Sequence, residues 1–357
     1  MTLRRYAAWA IAILVIVAAS ILLVVRFTTV RRNVAYVSEE EGGIVVIDLN
    51  TLEIVRKVQP KDVAPRGIGL TFDGKYLVTA NKDTADASVF DTRSLKMIRR
   101  IPVGDNPEFV RIGPDGGSMF ISYEPGSSGG PPKEGAAGGE EDDENEPPAQ
   151  ILQVNTNGWS AMRSFVAGKE TEGLEFSADG ASLIVANEAQ DTLGVYDIES
   201  GRRTREVNLA AYGKRPRGIR VSPQGDSYAV TMEGSGTLLT LDQNFKVTHT
   251  VATAAKPYGV AFDRQGRRIF VAAAAARKLQ VYAADSLRLL SETPIGQRCW
   301  HFTFTPDDSK VLLACGRSNS IYVIDAKTYQ PIKVIGGFQL PWGIITFPRS
   351  YGSLGLP

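Results

Sequence analysis

The chain is poor in the residues that build metal centres. Its 357 residues include only two Cys and two His, which excludes a His- or Cys-rich metal site. It also has almost no net charge. Its 40 Lys and Arg against 39 Asp and Glu leave +1, which argues against a general binder of nucleic acid or other polyanions. The sequence has no Cys-x-x-Cys-His haem attachment site, no Walker-type phosphate loop and no dinucleotide fingerprint. No local motif supports a Ser/His/Asp triad. What is present is a globular composition, 43 % hydrophobic and 22 % charged, at a length that by itself would suggest two or three domains.

One long apolar run stands at the start. Ala7 to Val25 is 19 residues without a charge, with Ser20 the one polar residue. As a helix it spans about 28 Å, close to the thickness of a bilayer core. A cleaved secretory signal has a shorter apolar stretch of about 7–15 residues and a small-residue cleavage site after it. Here Ala18-Ala19-Ser20 lies inside the run, and the run passes straight into Arg26-Phe27. The expectation is an uncleaved anchor over residues 1–32, with the helix at about 7–25, and a cleaved signal as the alternative. Basic residues flank both sides almost equally, Arg4 and Arg5 before it and Arg26, Arg31 and Arg32 after. An N-terminal anchor on a soluble body most often exports that body. The expected location is therefore the cytoplasmic (inner) membrane, single-pass, with the remainder in the periplasm or its equivalent.

That remainder repeats one short phrase seven times. Its copies open at Pro65, Pro107, Thr171, Pro216, Pro257, Cys299 and Pro341, at intervals of 42, 64, 45, 41, 42 and 42 residues. Each phrase leads into an apolar strand and then a turn such as Pro306-Asp307-Asp308-Ser309 or Ser177-Ala178-Asp179-Gly180. A period of about 40–45 residues with four strand signals per unit marks a β-propeller, one four-stranded blade per repeat. Strands are lettered A to D from the axis outward. Val34–Ser38, Ile44–Asp48 and Ile54–Val58 read as B, C and D strands with no A strand before them, and Gly343–Phe347 reads as an A strand with no B strand after it. The fold expected is all-β: a seven-bladed propeller over residues 33–350, the C-terminal strand completing the first blade, with a C-terminal tail at 351–357. Closure of this kind removes free sheet edges.

Tyr36-Val37-Ser38, Val46-Ile47-Asp48-Leu49-Asn50-Thr51-Leu52, Ile321-Tyr322-Val323-Ile324-Asp325 and Ile101-Pro102-Val103-Gly104-Asp105-Asn106-Pro107 resemble the YVTN β-propeller repeat. The resemblance covers about residues 34 to 348. Within it, Gly296-Gln297-Arg298-Cys299-Trp300 and Phe338-Gln339-Leu340-Pro341-Trp342-Gly343 resemble the propeller proteins associated with pyrroloquinoline-quinone-dependent alcohol catabolism. More distantly the repeat is similar to the haem-binding propeller of dissimilatory nitrite reductases and to lactonase-like propellers. These relatives differ in activity, so the resemblance implies the fold and leaves the function open.

The topology puts D–A connections and B–C loops on one face. The second residue of each phrase then lies at the central mouth: Arg66, Glu108, Glu172, Arg217, Tyr258, Trp300 and Trp342. One reading makes these solvated loop tips whose charges pair with each other. Another makes them a funnel site, with the Arg pair gripping a carboxylate and the aromatics stacking on a planar group. A third makes them a protein-docking surface. His301 stands where five other copies carry Gly, and Phe109 is the other exception. His301 is either hydrogen-bonded structure, an axial haem ligand or a general base; His249 falls on an outer strand or turn.

The long interval holds an insertion, Glu124–Ala149, in one B–C loop. It is rich in Gly, Pro and acidic residues, has no apolar residue beyond Ala, and is expected to be disordered beside the funnel mouth. It is either a tolerated surface insertion or an acidic arm that recruits a basic partner such as a cationic cytochrome. Its acidic run lacks the spacing of an EF-hand loop. Cys299 opens an A strand and Cys315 closes the paired B strand. Counting back from the Pro306–Ser309 turn places them opposite one another, where a disulfide or two buried thiols would fit.

The expected function is a membrane-tethered, monomeric, non-catalytic binding or scaffold propeller, linked through the resemblance to a quinoprotein or cytochrome-dependent oxidation system. Its partner would be a periplasmic dehydrogenase or cytochrome. One alternative is a lactonase-like hydrolase using Glu108 or Glu172 with the Arg pair. Another is a haem or quinone carrier using His301.

Overall fold

The alternating strands of the repeat end in the same device. Asp48 accepts the N–H groups of Asn50 and Thr51 at 2.8 and 3.1 Å, and Asp325 accepts those of Lys327 and Thr328 at 2.9 and 2.7 Å. An Asp at the end of a C strand thus pins the turn into the D strand. The A–B turns use Gly in the left-handed region, such as Gly74 at φ +68°. These local choices cut the chain into strands of mostly six residues.

The computed structural model describes residues 33–126 and 147–355. The apolar run at 7–25 and residues 127–146 of the insertion lie outside the described residues. Among the described residues no helix is long and apolar enough to cross a membrane.

The strands form seven four-stranded antiparallel sheets. Six are built from consecutive strands. The seventh is composite, with Pro341–Phe347 innermost, then Val34–Glu39, Ile44–Asp48 and Glu53–Val58. Tyr36 stands opposite Ile345, and Val34 opposite Phe347. The chain's two ends therefore close the ring. Between blades the core is apolar: Val37 and Ile47 of the composite blade pack with Leu312 and Val323 of its neighbour, all fully buried.

The innermost strands start earlier than the sequence suggested. They begin at the phrase itself, as in Pro65–Leu70, Pro216–Val221 and Cys299–Phe304; Val110–Ile112 is the short exception. Apart from Glu108, which precedes the short strand, the ring positions are thus in strands rather than at loop tips. Six of the seven A strands carry a register shift at the phrase. That bulge corrects the cysteine argument. The turn sets Phe304 opposite Val311, one residue away from the register counted above, and the bulge between Cys299 and His301 shifts it back to Cys299 opposite Cys315. The two sulfurs are bonded as a disulfide.

The tail is the larger correction. Residues 349–355 turn back into the lower end of the channel. Gly352 bridges Thr303, Tyr351 accepts the N–H of Phe304 at 2.9 Å, and the Ser353 N–H donates to Phe302 at 2.9 Å. Leu354 is buried. The segment is an added piece of the innermost layer.

Candidate functional site at the funnel

The third residue of each phrase explains how the funnel is built. A Cβ at Gly67, Gly173, Gly218, Gly259 or Gly343 would meet the backbone carbonyl of Glu108, Arg217, Tyr258, Trp300 or Arg66 respectively. Each of those is the ring residue of the next blade. Glycine lets neighbouring inner strands approach at the axis. Where the copies carry Phe109 and His301, the side chains enter the channel instead. Their rings meet at 5.6 Å between centroids, and both touch Trp342, at 5.4 and 4.4 Å. The centre of the channel is filled by these three rings.

A second ring surrounds the first. It consists of the residue after each B strand: Glu40, Lys82, Glu124, Glu188, Glu233, Ala274 and Gly316. The arginines of the first ring pair with acidic residues of both rings. Arg66 pairs with Glu40 at 3.1 Å and Glu108 at 3.4 Å. Arg217 pairs with Glu172 at 2.8 Å, Glu188 at 2.8 Å and Glu233 at 2.6 Å. Its guanidinium also lies 3.8 Å from the centre of the Tyr258 ring and bonds the Tyr258 hydroxyl. Around the aromatic side the outer ring is small, with Ala274 and with Gly316 under Trp300. The sequence expectation named one ring. The other is visible as a second spacing, one residue past each B strand, wherever Arg faces Glu and an aromatic faces Ala or Gly.

Crowding three carboxyl groups around one guanidinium sets their protonation. Burial pushes the Glu188 carboxyl up to about 8 against the pull of Arg217 and Arg215. Burial also holds Glu172 well above the usual range, and the nearby Glu108 and Glu188 add to the shift. Glu233 is drawn the other way, down to about 2: Arg217, Lys256 and a hydrogen bond from Glu188 outweigh its burial. At neutral pH this network holds protonated and ionised carboxyl groups in contact.

His301 is buried and neutral. Burial, followed by the positive charges of Arg217 and Arg220, lowers its pKa to about 3. Its Nδ1 stands 3.2 Å from the Ser353 hydroxyl, so the C-terminal segment orients the ring. Its Nε2 has no hydrogen-bond partner among the described residues, and neither do Glu172 Oε2 and Arg217 Nε. His301, Glu172 and Arg217 all line one cavity of about 20 Å³, room for a water-sized molecule.

Of the residues named from the sequence, Glu108, Arg66, Glu172, Arg217 and Tyr258 fall in the charged half, and His301 and Trp342 at the centre. Trp300 packs outward against Gly316, with the Arg298 guanidinium 5.8 Å from its ring. His249 is on an exposed outer strand. Among the described residues no group of three or more His, Cys, Asp or Glu could hold a metal ion. The insertion starts on the funnel face: the Glu124 N–H donates to Asp105 at 3.0 Å, and its carboxylate accepts from Asn106 at 2.8 Å.

Comparisons with known proteins agree with this architecture. The family described as "Lactonase, 7-bladed beta-propeller" matches residues 155–262, the stretch that carries Glu172, Glu188, Arg217, Glu233 and Tyr258. No curated protein sequence matches the chain. A functionally unknown protein from Desulfotomaculum acetoxidans superimposes with a TM-score of 0.73 at 14 % identity, over 87 % of this chain and 98 % of that one. The periplasmic gluconolactonase PpgL of Pseudomonas aeruginosa gives 0.70 at 16 %, over 90 % and 99 %. The dihydro-heme d1 dehydrogenase NirN gives 0.63 at 15 %, over 88 % and 75 %. The chain is a seven-bladed β-propeller, and over residues 155–262 it is similar to the lactonase family of such propellers.

Proposed function

We propose that the chain is an extracytoplasmic binding propeller, tethered by the segment at 7–25, that docks a cationic protein partner on its funnel face. The observation that carries this is the mutual pairing of the ring. Arg66 and Arg217 are already taken by five carboxyl groups, and the cavity that Glu172, Arg217 and His301 line is about 20 Å³, too small for a planar cofactor. The insertion adds the sign of the partner. It is rooted at Asp105 and Asn106 on this face, and residues 127–146 carry seven acidic residues and one Lys. The resemblance to propellers of quinone-dependent alcohol oxidation makes a basic cytochrome or dehydrogenase the partner class. The test is surface plasmon resonance with a cationic c-type cytochrome. Deleting residues 127–146 should weaken binding about tenfold or more, and raising salt should do the same to the intact protein. Unchanged affinity after the deletion would overturn the reading.

The family match over 155–262 favours a second reading, lactone hydrolysis at the charged half of the funnel. Glu188, raised to about 8, holds a proton at neutral pH and could act as a general acid on a lactone, and burial raises Glu172 in the same direction. Hydrolysis of gluconolactone above the buffer rate, lost in Glu172→Gln and Glu188→Gln, would establish this reading against the first.

A further inference from the structure

The opposite end of the channel holds a pocket that the funnel does not use. The C-terminal segment covers the lower mouth beside the strands Pro257–Phe262 and Cys299–Phe304. Beside the inner strands of the other blades a cavity of about 420 Å³ remains, within the range of small-molecule sites. Its walls include Leu70, Phe72, Phe176, Val221 and Ile345. Arg111 and Arg349 also line it.

Positive charge gathers around this cavity. Glu175 is fully buried and bridges Arg111 at 2.8 Å and Arg220 at 3.0 Å. Arg111 spends its remaining Nη donor on the carbonyls of Leu354 and Gly355 at 2.9 and 2.8 Å, and Arg220 bonds the Gly355 carbonyl at 2.9 Å. The Arg111 Nε is buried without a hydrogen-bond partner. Arg349 has no ion pair among the described residues; its guanidinium lies flat on Phe72, 4.0 Å from the ring centre. Among the described residues Arg349 thus meets no carboxylate at the wall of an apolar cavity, and the buried Arg111 Nε meets no acceptor. A guanidinium without a paired carboxylate in such a place is costly unless a counter-charge joins it.

We propose that this lower pocket binds an organic anion with an apolar body. The head group, a carboxylate, sulfonate or phosphate, pairs with Arg349 and Arg111, and the body lies against Phe72 and Phe176. Guanidinium forks suit such heads because they offer paired donors. Repulsion fits the same picture: burial and the neighbouring Arg111 lower Arg349 to about 10, and burial and Arg111 lower Arg220 to about 9. An anion would relieve both. The site opens on the A–B turn face, opposite the funnel mouth, and shares Arg111 and Leu354 with the small cavity beside His301.

The test is a fluorescence titration of the full chain with 8-anilinonaphthalene-1-sulfonate. Saturable binding is expected, weakened about tenfold or more in Arg349→Met and partly regained in Arg349→Lys, the size of one lost charge-assisted contact. Met keeps the contact with Phe72, and Arg349 joins no ion pair among the described residues, so Arg349→Met should unfold at or above the wild-type temperature. Arg205→Met, which removes a surface guanidinium stacked on Phe245, should bind as wild type. The uncharged analogue N-phenyl-1-naphthylamine should bind more weakly and ignore the Arg349 substitution. Three results would each overturn the proposal: equal affinity for the uncharged analogue, no effect of Arg349→Met, or saturable binding that appears only once Leu356 and Pro357 are deleted.

Discussion

Trp300 lies where a side chain on Gly316 would have to go. A Cβ built on Gly316 runs into the six-membered ring of Trp300. The two residues belong to different rings of the same blade, one in its A strand and one just past its B strand. The blade with Arg217 shows the same rule with opposite chemistry, since Glu233 fills the position that Gly316 leaves empty. In these two blades the inner position and the position past the B strand are matched to each other, whereas Arg66 shares its blade with Lys82 and takes its carboxylates, Glu40 and Glu108, from the blades on either side.

Gly316→Ala should therefore destabilise the protein by about 1–3 kcal/mol, the usual cost of overpacking a rigid site. Gly316 has no left-handed φ, so the cost comes from contact with Trp300. Urea denaturation should show a lower midpoint with an unchanged slope, and Trp300→Leu should largely rescue it. A wild-type midpoint for Gly316→Ala would refute the pairing.

Much of this was legible in the sequence. The period gave the blade count, and the missing A strand before Val34 gave the closure at Pro341–Phe347. The ring residues were found because their spacing is fixed by the repeat. What was not legible depends on one blade touching the next. The third-position Gly looked like a motif, and its reason, the carbonyl of the neighbouring ring residue, exists only between blades. The pairing of Cys299 with Cys315 rested on a register one residue off, and a bulge at Trp300 restored it. The tail at 351–357 has no strand pattern in the sequence. Its place in the channel depends on Phe302, Thr303 and Arg111, which are distant in sequence.

The disulfide ties two adjacent strands across a separation of 16 residues. A loop of that size is worth about 3 kcal/mol at 25 °C through the entropy of the unfolded chain. Both cysteines are fully buried, so Cys299→Ala/Cys315→Ala also leaves small voids. The double variant should unfold at lower urea than the oxidised protein, and reductant should lower the midpoint of the wild type but not that of the variant. An equal response of both proteins to reductant would show that the bond does not form.

The pH dependence follows from Glu188. Its folded pKa of about 8 lies above its unfolded value of 4.5, so the folded state binds a proton that the unfolded state releases. The contribution is fully present below pH 4.5 and is lost as pH rises from there to about 8. Where Glu188 alone titrates, stability falls by about 1.4 kcal/mol per pH unit. Gln has no proton to lose, and its amide can still donate to Glu233 as the protonated Glu188 does. Glu188→Gln should therefore gain on the wild type steadily across that window, and Glu172, also raised by burial, acts in the same sense. Glu233 has the opposite sign: its folded pKa of about 2 is depressed from 4.5, so its contribution is present above pH 4.5 and lost as pH falls toward 2. Glu233→Gln should flatten only that acid limb. Urea midpoints of the three proteins from pH 3 to 9, roughly one unit apart, would decide; parallel curves for wild type and Glu188→Gln would mean that Glu188 is ionised in the fold.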